Sequence, residues 1–262
     1  MSLNGSIGVF DSGIGGLAIT QEIRKLMPNE DIVYVADSLH APYGEKTDAA
    51  ILQRSIAITE FLLTQNVKAI VVACNTATTS CIDALRQRFN IPFIGTEPGI
   101  KPAVLNTKSG VIGVLATPRT LQTNSFSALA DRVALNIQVE LMPCPALVEQ
   151  VESLQLDYAA AKDVVAQYVT PLMAKGVDTL VLGCTHYAHL LPVITKVAGP
   201  QVTIINTEVA VAREVQRRLH QANLMGEKQQ GGSTQFYTTG NPTQFQRQVD
   251  MLWGAGFQVA QC

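Results

Sequence analysis

The chain lacks any apolar run of the roughly 18 residues that a membrane-spanning helix requires, so no membrane association is expected. It lacks an excess of either charge: 19 lysines and arginines stand against 21 aspartates and glutamates, a net charge of −2. Nucleic-acid partners usually show as a basic stripe, and none is expected here. Met1-Ser-Leu-Asn-Gly5 has neither a basic nor an apolar leader region, so no secretory signal is expected. The cysteines, at 74, 81, 144, 184 and 262, have no disulfide-scaffold spacing. That fits a reducing cytoplasm and a soluble cytosolic protein. No Cys-x-x-Cys pair accompanies Cys184, His186 and His189, so zinc is not expected.

What the chain does contain is a repeat. Val67-Lys-Ala-Ile-Val-Val-Ala-Cys74 recurs as Val177-Asp-Thr-Leu-Val-Leu-Gly-Cys184, an offset of 184 − 74 = 110. Ile7-Gly-Val-Phe recurs as Ile112-Gly-Val-Leu, Asp31-Ile-Val-Tyr-Val as Asn136-Ile-Gln-Val-Glu, and Ile91–Glu97 as Val202–Glu208, in the same order. These short, β-branched apolar runs suit parallel strands buried on both faces. Helical patterns lie between them: Thr47 caps a stripe of Ile51, Ser55, Ile58 and Leu62, and Asp157 to Ala174 supplies its counterpart. The expectation is an α/β protein of two pseudo-symmetric domains, each a mostly parallel sheet flanked by helices. An approximate two-fold axis would then set Cys74 and Cys184 on opposite walls of one cleft. The expected boundaries are 1–97 plus 209–262 for the first domain and 98–208 for the second. In the unrepeated tail, Val209–Leu224 reads as a helix, Gly226–Ser233 as a mobile loop, Gln235–Thr239 as an edge strand and Pro242–Trp253 as a final helix.

Ligands in such sheets bind outside the carboxyl ends of the strands, which singles out Asp11-Ser12, Asp37, Cys74-Asn75-Thr76, Thr117 and Cys184-Thr185-His186. A cysteine ending a buried strand is most often a packed hydrophobe, and Cys81, Cys144 and Cys262 are read that way. Cys74 and Cys184 differ: each precedes short polar residues where a helix should begin, and a helix N-terminus favours thiolate. Asp11-Ser-Gly-Ile-Gly-Gly-Leu-Ala18 also satisfies a loose dinucleotide fingerprint, with Asp37 where a ribose-binding acid would stand. A nucleotide-binding protein is therefore a rival, although Asp11 puts negative charge where a pyrophosphate would sit. A cysteine hydrolase is a second rival, but it leaves one of the paired cysteines without a role. Seen alone, His186 reads equally as a capping or core residue, and Glu152 as a solvated helix carboxylate.

Phe10-Asp-Ser-Gly-Ile-Gly-Gly16, Ala41-Pro-Tyr-Gly44, Val72-Ala-Cys-Asn-Thr-Ala77, Glu97-Pro-Gly99 and Gly183-Cys-Thr-His-Tyr187 stand in the order of the cofactor-independent glutamate racemase family, which the chain resembles over essentially its whole length. The resemblance implies two pseudo-symmetric α/β domains with the active site between them, a D/L-glutamate substrate and no cofactor or metal. It implies Cys74 and Cys184 as the acid/base pair, assisted by Asp11 and His186 respectively, with Asp37 and Glu152 tuning charge. It places Ser12, Pro42, Tyr43, Gly44, Asn75, Thr76, Thr117, Thr120 and Thr185 around the substrate, together with Asp11 and His186. It further implies a homodimer and a role in supplying D-glutamate for peptidoglycan. Ser38-Leu-His-Ala41 departs from the arginine-containing run common in the family, and Ala188-His189 replaces its usual proline. An aspartate or hydantoin racemase of the same superfamily, or a non-catalytic nucleotide or amino-acid binding protein, are the alternatives.

Overall fold

The computed structural model describes residues 5–133, 136–226 and 231–262, so residues 227–230 of the expected Gly226–Ser233 loop lie outside the described residues. The chain divides into two compact units, Met1–Thr96 with Glu208–Cys262, and Glu97–Thr207. Among the described residues no helix is long and apolar enough to cross a membrane.

In the first unit β1 (Ser6–Asp11), β2 (Ile32–Ala36), β3 (Val67–Val72) and β4 (Phe93–Gly95) alternate with α1 (Leu17–Leu26), α2 (Asp48–Thr64) and α3 (Asn75–Arg88). Glu208 returns the chain as α10 (Glu208–Gln221), followed by β9 (Thr234–Thr238), α11 (Pro242–Leu252) and β10 (Val259–Gln261). All pairings are parallel, in the order β10-β9-β2-β1-β3-β4. Strands covered by helices on both faces can be apolar throughout, and every residue of β2 and β3 is buried.

The second unit carries α4 (Ile100–Asn106), β5 (Val111–Ala116), α5 (Pro118–Leu121), α6 (Asn124–Val133), β6 (Gln138–Pro143) and α7 (Pro145–Glu152). It continues through α8 (Tyr158–Ala174), β7 (Thr179–Gly183), α9 (Leu191–Ala198) and β8 (Thr203–Ile205). Its parallel order, β6-β5-β7-β8, repeats β2-β1-β3-β4 strand for strand. Helices α2 and α8 are counterparts down to the cap: Thr47 Oγ1 accepts the Ala50 N–H at 3.3 Å and Asp157 Oδ1 the Ala160 N–H at 2.9 Å.

Three tail expectations need correction. The Gln235–Thr239 segment is not an edge strand: β9 lies between β2 and β10, and the edge belongs to β10, whose three residues are too few to show an alternation. Helix α10 stops at Gln221 rather than Leu224, with Asn223 in the left-handed region (φ 55°). Cys262 is exposed rather than packed: its N–H still bonds Thr238 O at 3.0 Å, but it follows the edge strand, where no further strand covers it.

The tail is tied to the amino ends of the strands by charge. Lys68, 1% exposed at the start of β3, is ion-paired with the buried Glu30 carboxylate, whose Oε1 also accepts the Gly226 N–H at 2.6 Å. Arg24 adds bonds to Ser233 O (2.6 Å) and Thr234 Oγ1 (2.9 Å). Breaking a buried pair strands its partner's charge, so Lys68→Met is expected to destabilise the protein by about 3–5 kcal/mol, read as a lower urea midpoint.

Candidate active site

Parallel register brings three candidates of the first unit to one sheet edge. Phe10 pairs with Val72 and Asp11 with Ala36, so Asp11, Asp37 and Cys74 emerge together at the carboxyl ends of β1, β2 and β3. Cys74, 5% exposed, is the N-cap of α3; its Sγ accepts the Ala77 N–H at 3.5 Å and lies 3.8 Å from Ser12 Oγ. A helix of 14 residues presents partial positive charge there, which favours negative charge on the sulfur. Asn75 donates Nδ2 to the Thr96 carbonyl at 3.1 Å, and Thr76 is buried beside it in the first turn.

Asp11 is fully buried, and its Oδ2 accepts the Gly16 N–H at 3.0 Å where α1 begins. A Cβ at Gly16 would stand 2.8 Å from the Asp11 Cβ and 3.0 Å from the Ala73 Cβ, so this close approach requires glycine. The chain's own carboxylate thus occupies an N–H that a pyrophosphate would use. Asp37, the would-be ribose acid, is also fully engaged. It accepts from Arg54 Nη2 (2.9 Å) and Nε (3.1 Å), Tyr43 OH (2.6 Å) and Thr239 Oγ1 (2.8 Å), with His40 Nδ1 at 3.0 Å. Both halves of the nucleotide-binding reading lose their groups to internal bonds. Burial opposes the charge on Asp37, but the bonds from Arg54, Tyr43 and Thr239 outweigh it and hold its carboxyl below the usual range. Tyr43 follows the cis Ala41–Pro42 peptide and begins a short 3₁₀ turn over Tyr43–Glu45; it and Gly44 are buried.

In the second unit Cys184 follows β7 and Thr117 follows β5, again at the carboxyl edge. Thr117 caps α5 and shares a 3.0 Å hydroxyl contact with the fully buried Thr120. Thr185 is 4% exposed. The expected helix after Cys184 is instead a 3₁₀ turn over Thr185–Leu190, and α9 opens only at Leu191. Pro192 explains the delay: proline suits the first helical turn and disfavours continuation of a helix through it. Cys184 therefore has no α-helix N-terminus of its own. What it has is His186, whose Nδ1 lies 3.7 Å from Sγ and whose Nε2 lies 2.7 Å from Glu152 Oε1 at the end of α7. A carboxylate only accepts, so Glu152 fixes the proton on Nε2 and turns Nδ1 toward the sulfur. Burial works against a charged His186, yet the bonds to Cys184 and Glu152 raise its pKa well above the ordinary imidazole value. Cys144, by contrast, is a packed thiol pushed upward by burial, as is Cys81, pushed to about 11.

Sequence reasoning did not find Arg54 or Thr239. Arg54 is a half-buried cation in mid-helix, with no neighbouring motif, and only the fold carries it to Asp37.

Two parallel α/β sheets, each ending one homologous strand in a buried thiol with its own supporting groups, define the class of architecture. The chain belongs to the Asp/Glu/Hydantoin racemase family, whose model matches residues 7–215. It is 46% identical over 254 residues to the glutamate racemase of Ectopseudomonas mendocina, spanning 97% of this chain and 96% of that protein. The crystal structure of glutamate racemase isoform RacE1 from Bacillus anthracis matches with a TM-score of 0.90 at 34% identity, covering 98% of this chain and 97% of that one. Glutamate racemase from Francisella tularensis, solved in complex with D-glutamate, matches with a TM-score of 0.85 at 31% identity and 98% and 97% coverage.

Proposed function

We propose that the chain interconverts L- and D-glutamate, with Cys74 and Cys184 acting on opposite faces of the α-carbon and no pyridoxal phosphate or metal. One thiolate takes the α-proton while the other thiol delivers a proton to the opposite face; the protonation state left behind matches the enantiomer just formed. The observation that carries the reading is the buried thiol ending both β3 and β7, in a chain similar over nearly its whole length to glutamate racemases. The thiols are supported differently, Cys74 by Ser12, the Ala77 N–H and α3, Cys184 by His186 and Glu152. Asp11, at the same carboxyl edge as the first thiol, serves it in this scheme as His186 serves the second. The α-proton is very weakly acidic, so donors to the substrate carboxylate must stabilise the carbanion; Ser12, Asn75, Thr76, Thr117 and Thr185 are the neutral candidates. Thr120 holds Thr117, and the Pro42-Tyr43-Gly44 turn contacts the substrate in this scheme. The resemblance extends the reading to a cytoplasmic homodimer supplying D-glutamate for peptidoglycan.

Circular dichroism of D-glutamate with the purified protein and no added cofactor tests this, with D-aspartate alongside. Decay of the glutamate signal alone is the expected result. Faster decay of aspartate selects the aspartate racemase alternative, and nucleotide binding without turnover selects the binding protein.

A further inference from the structure

The Asp37 carboxylate is saturated. A carboxylate offers about four lone-pair sites, and donors from Arg54, Tyr43 and Thr239, with His40, crowd both of its oxygens inside a fully buried position. A group so engaged and neutralised by an adjacent guanidinium neither shuttles protons nor projects much field. Its remaining effect is mechanical: the Tyr43 hydroxyl, at 2.6 Å, is held by it, and Tyr43 packs in the same buried cluster as Cys74.

The second unit provides an internal control. The Asp37 N–H bonds Asp11 O at 3.0 Å, and the Cys144 N–H bonds Ala116 O at 2.9 Å, so Cys144 occupies the equivalent position. Counting from the matched caps Thr47 and Asp157, Arg54 corresponds to Val164, since 54 − 47 = 164 − 157. The carboxylate and the guanidinium are thus exchanged together for a thiol and an isopropyl group. At these paired positions neither unit has the acid without the cation, or the reverse.

We propose that Arg54 and the tail residue Thr239 are positioning residues of the first unit, which clamp Asp37 so that it fixes Tyr43 against the substrate. This rests on the glutamate reading above, in which Tyr43 lies at the substrate. It also gives the unrepeated tail a function: β9 delivers Thr239, whose Oγ1 donates to Asp37 while accepting the Leu39 N–H at 3.2 Å. The planar fork of Arg54 makes two parallel bonds that lysine cannot reproduce.

The test is steady-state racemisation of both enantiomers by Arg54→Met, Arg54→Lys, Thr239→Val and Tyr43→Phe, with thermal melts to establish folding. Arg54→Met is expected to raise KM for both enantiomers about tenfold while kcat changes less than about threefold. Arg54→Lys and Thr239→Val should fall between it and the parent. If Arg54→Met does not fold, those two variants carry the test. Because Arg54 acts through Tyr43, the Arg54→Lys/Tyr43→Phe double variant should be no worse than Tyr43→Phe alone. Parent-like KM in folded Arg54→Lys and Thr239→Val, losses that add in the double variant, or a fall confined to kcat would overturn the inference. A parent protein that does not turn over glutamate strikes the proposed function instead, so the two failures are distinguishable.

Discussion

Cys74→Ser and Cys184→Ser are each expected to lower racemisation by about 10³-fold or more, because a serine hydroxyl neither ionises near neutrality nor replaces a positioned acid/base group. The informative result is what survives. In heavy water, a variant with one thiol can still remove the α-proton from the enantiomer that presents it and return a deuteron to the same face. Each variant should therefore wash deuterium into one enantiomer without inversion, and the two variants should choose opposite enantiomers. Mass spectrometry after chiral separation reads this directly. Steady-state kcat/KM cannot substitute: enantiomers have equal free energy in water, so kcat/KM must be the same in both directions for any variant. Exchange of both enantiomers by one variant, or parent-like racemisation by either, would show that the thiols do not divide the faces between them.

The repeat made the architecture legible because strands buried on both faces have to be apolar, and apolar β-branched runs survive as visible repeats. Thus Val67–Val72 and Thr179–Gly183 are recognisable as one strand written twice, and the residues following them can be read off as site candidates. The parts that were not legible depend on tertiary choices. Whether β9 sits at an edge is decided by β10, three residues long and preceded by the glycine-containing Gly254-Ala-Gly256 stretch, too short to read as a strand. That Cys74 caps a helix while Cys184 enters a 3₁₀ turn is decided by Pro192, eight residues past the sulfur. Arg54 looks like any solvated helix cation until α2 is laid across the end of β2. The candidate residues themselves were reached largely through motif resemblance; Glu152, an ordinary helix carboxylate by pattern, acquires a reason only when its 2.7 Å contact with His186 is in view.

That contact sets up the second large effect. His186→Asn preserves side-chain volume and removes the only group capable of cationic charge in the Cys184, His186 and Glu152 cluster. It takes away the ring whose Nδ1 lies 3.7 Å from the Cys184 sulfur, and a positioned group of that kind is worth about 10²-fold or more, so kcat/KM at neutral pH should fall by about 10²-fold. The pH dependence has a definite sign. The pKa of His186 is raised in the folded protein, so its imidazolium is lost only as pH rises through the elevated folded value. The same elevation contributes stability that is complete below the unfolded imidazole value of about 6.5 and is lost as pH rises through the higher folded pKa. The limb of the rate profile that follows the His186 titration should therefore be missing from the variant. The equal fall in kcat/KM for the two enantiomers conceals which thiol is impaired, but α-deuterated substrates expose it. Proton transfer at Cys184 becomes limiting in the variant. The isotope effect should therefore grow for the enantiomer whose α-hydrogen Cys184 removes and shrink for the other, whose deuterium leaves through Cys74 in a faster step. Isotope effects that remain equal, with an unchanged profile, would mean that His186 supports the fold around Cys184 rather than the charge on its sulfur.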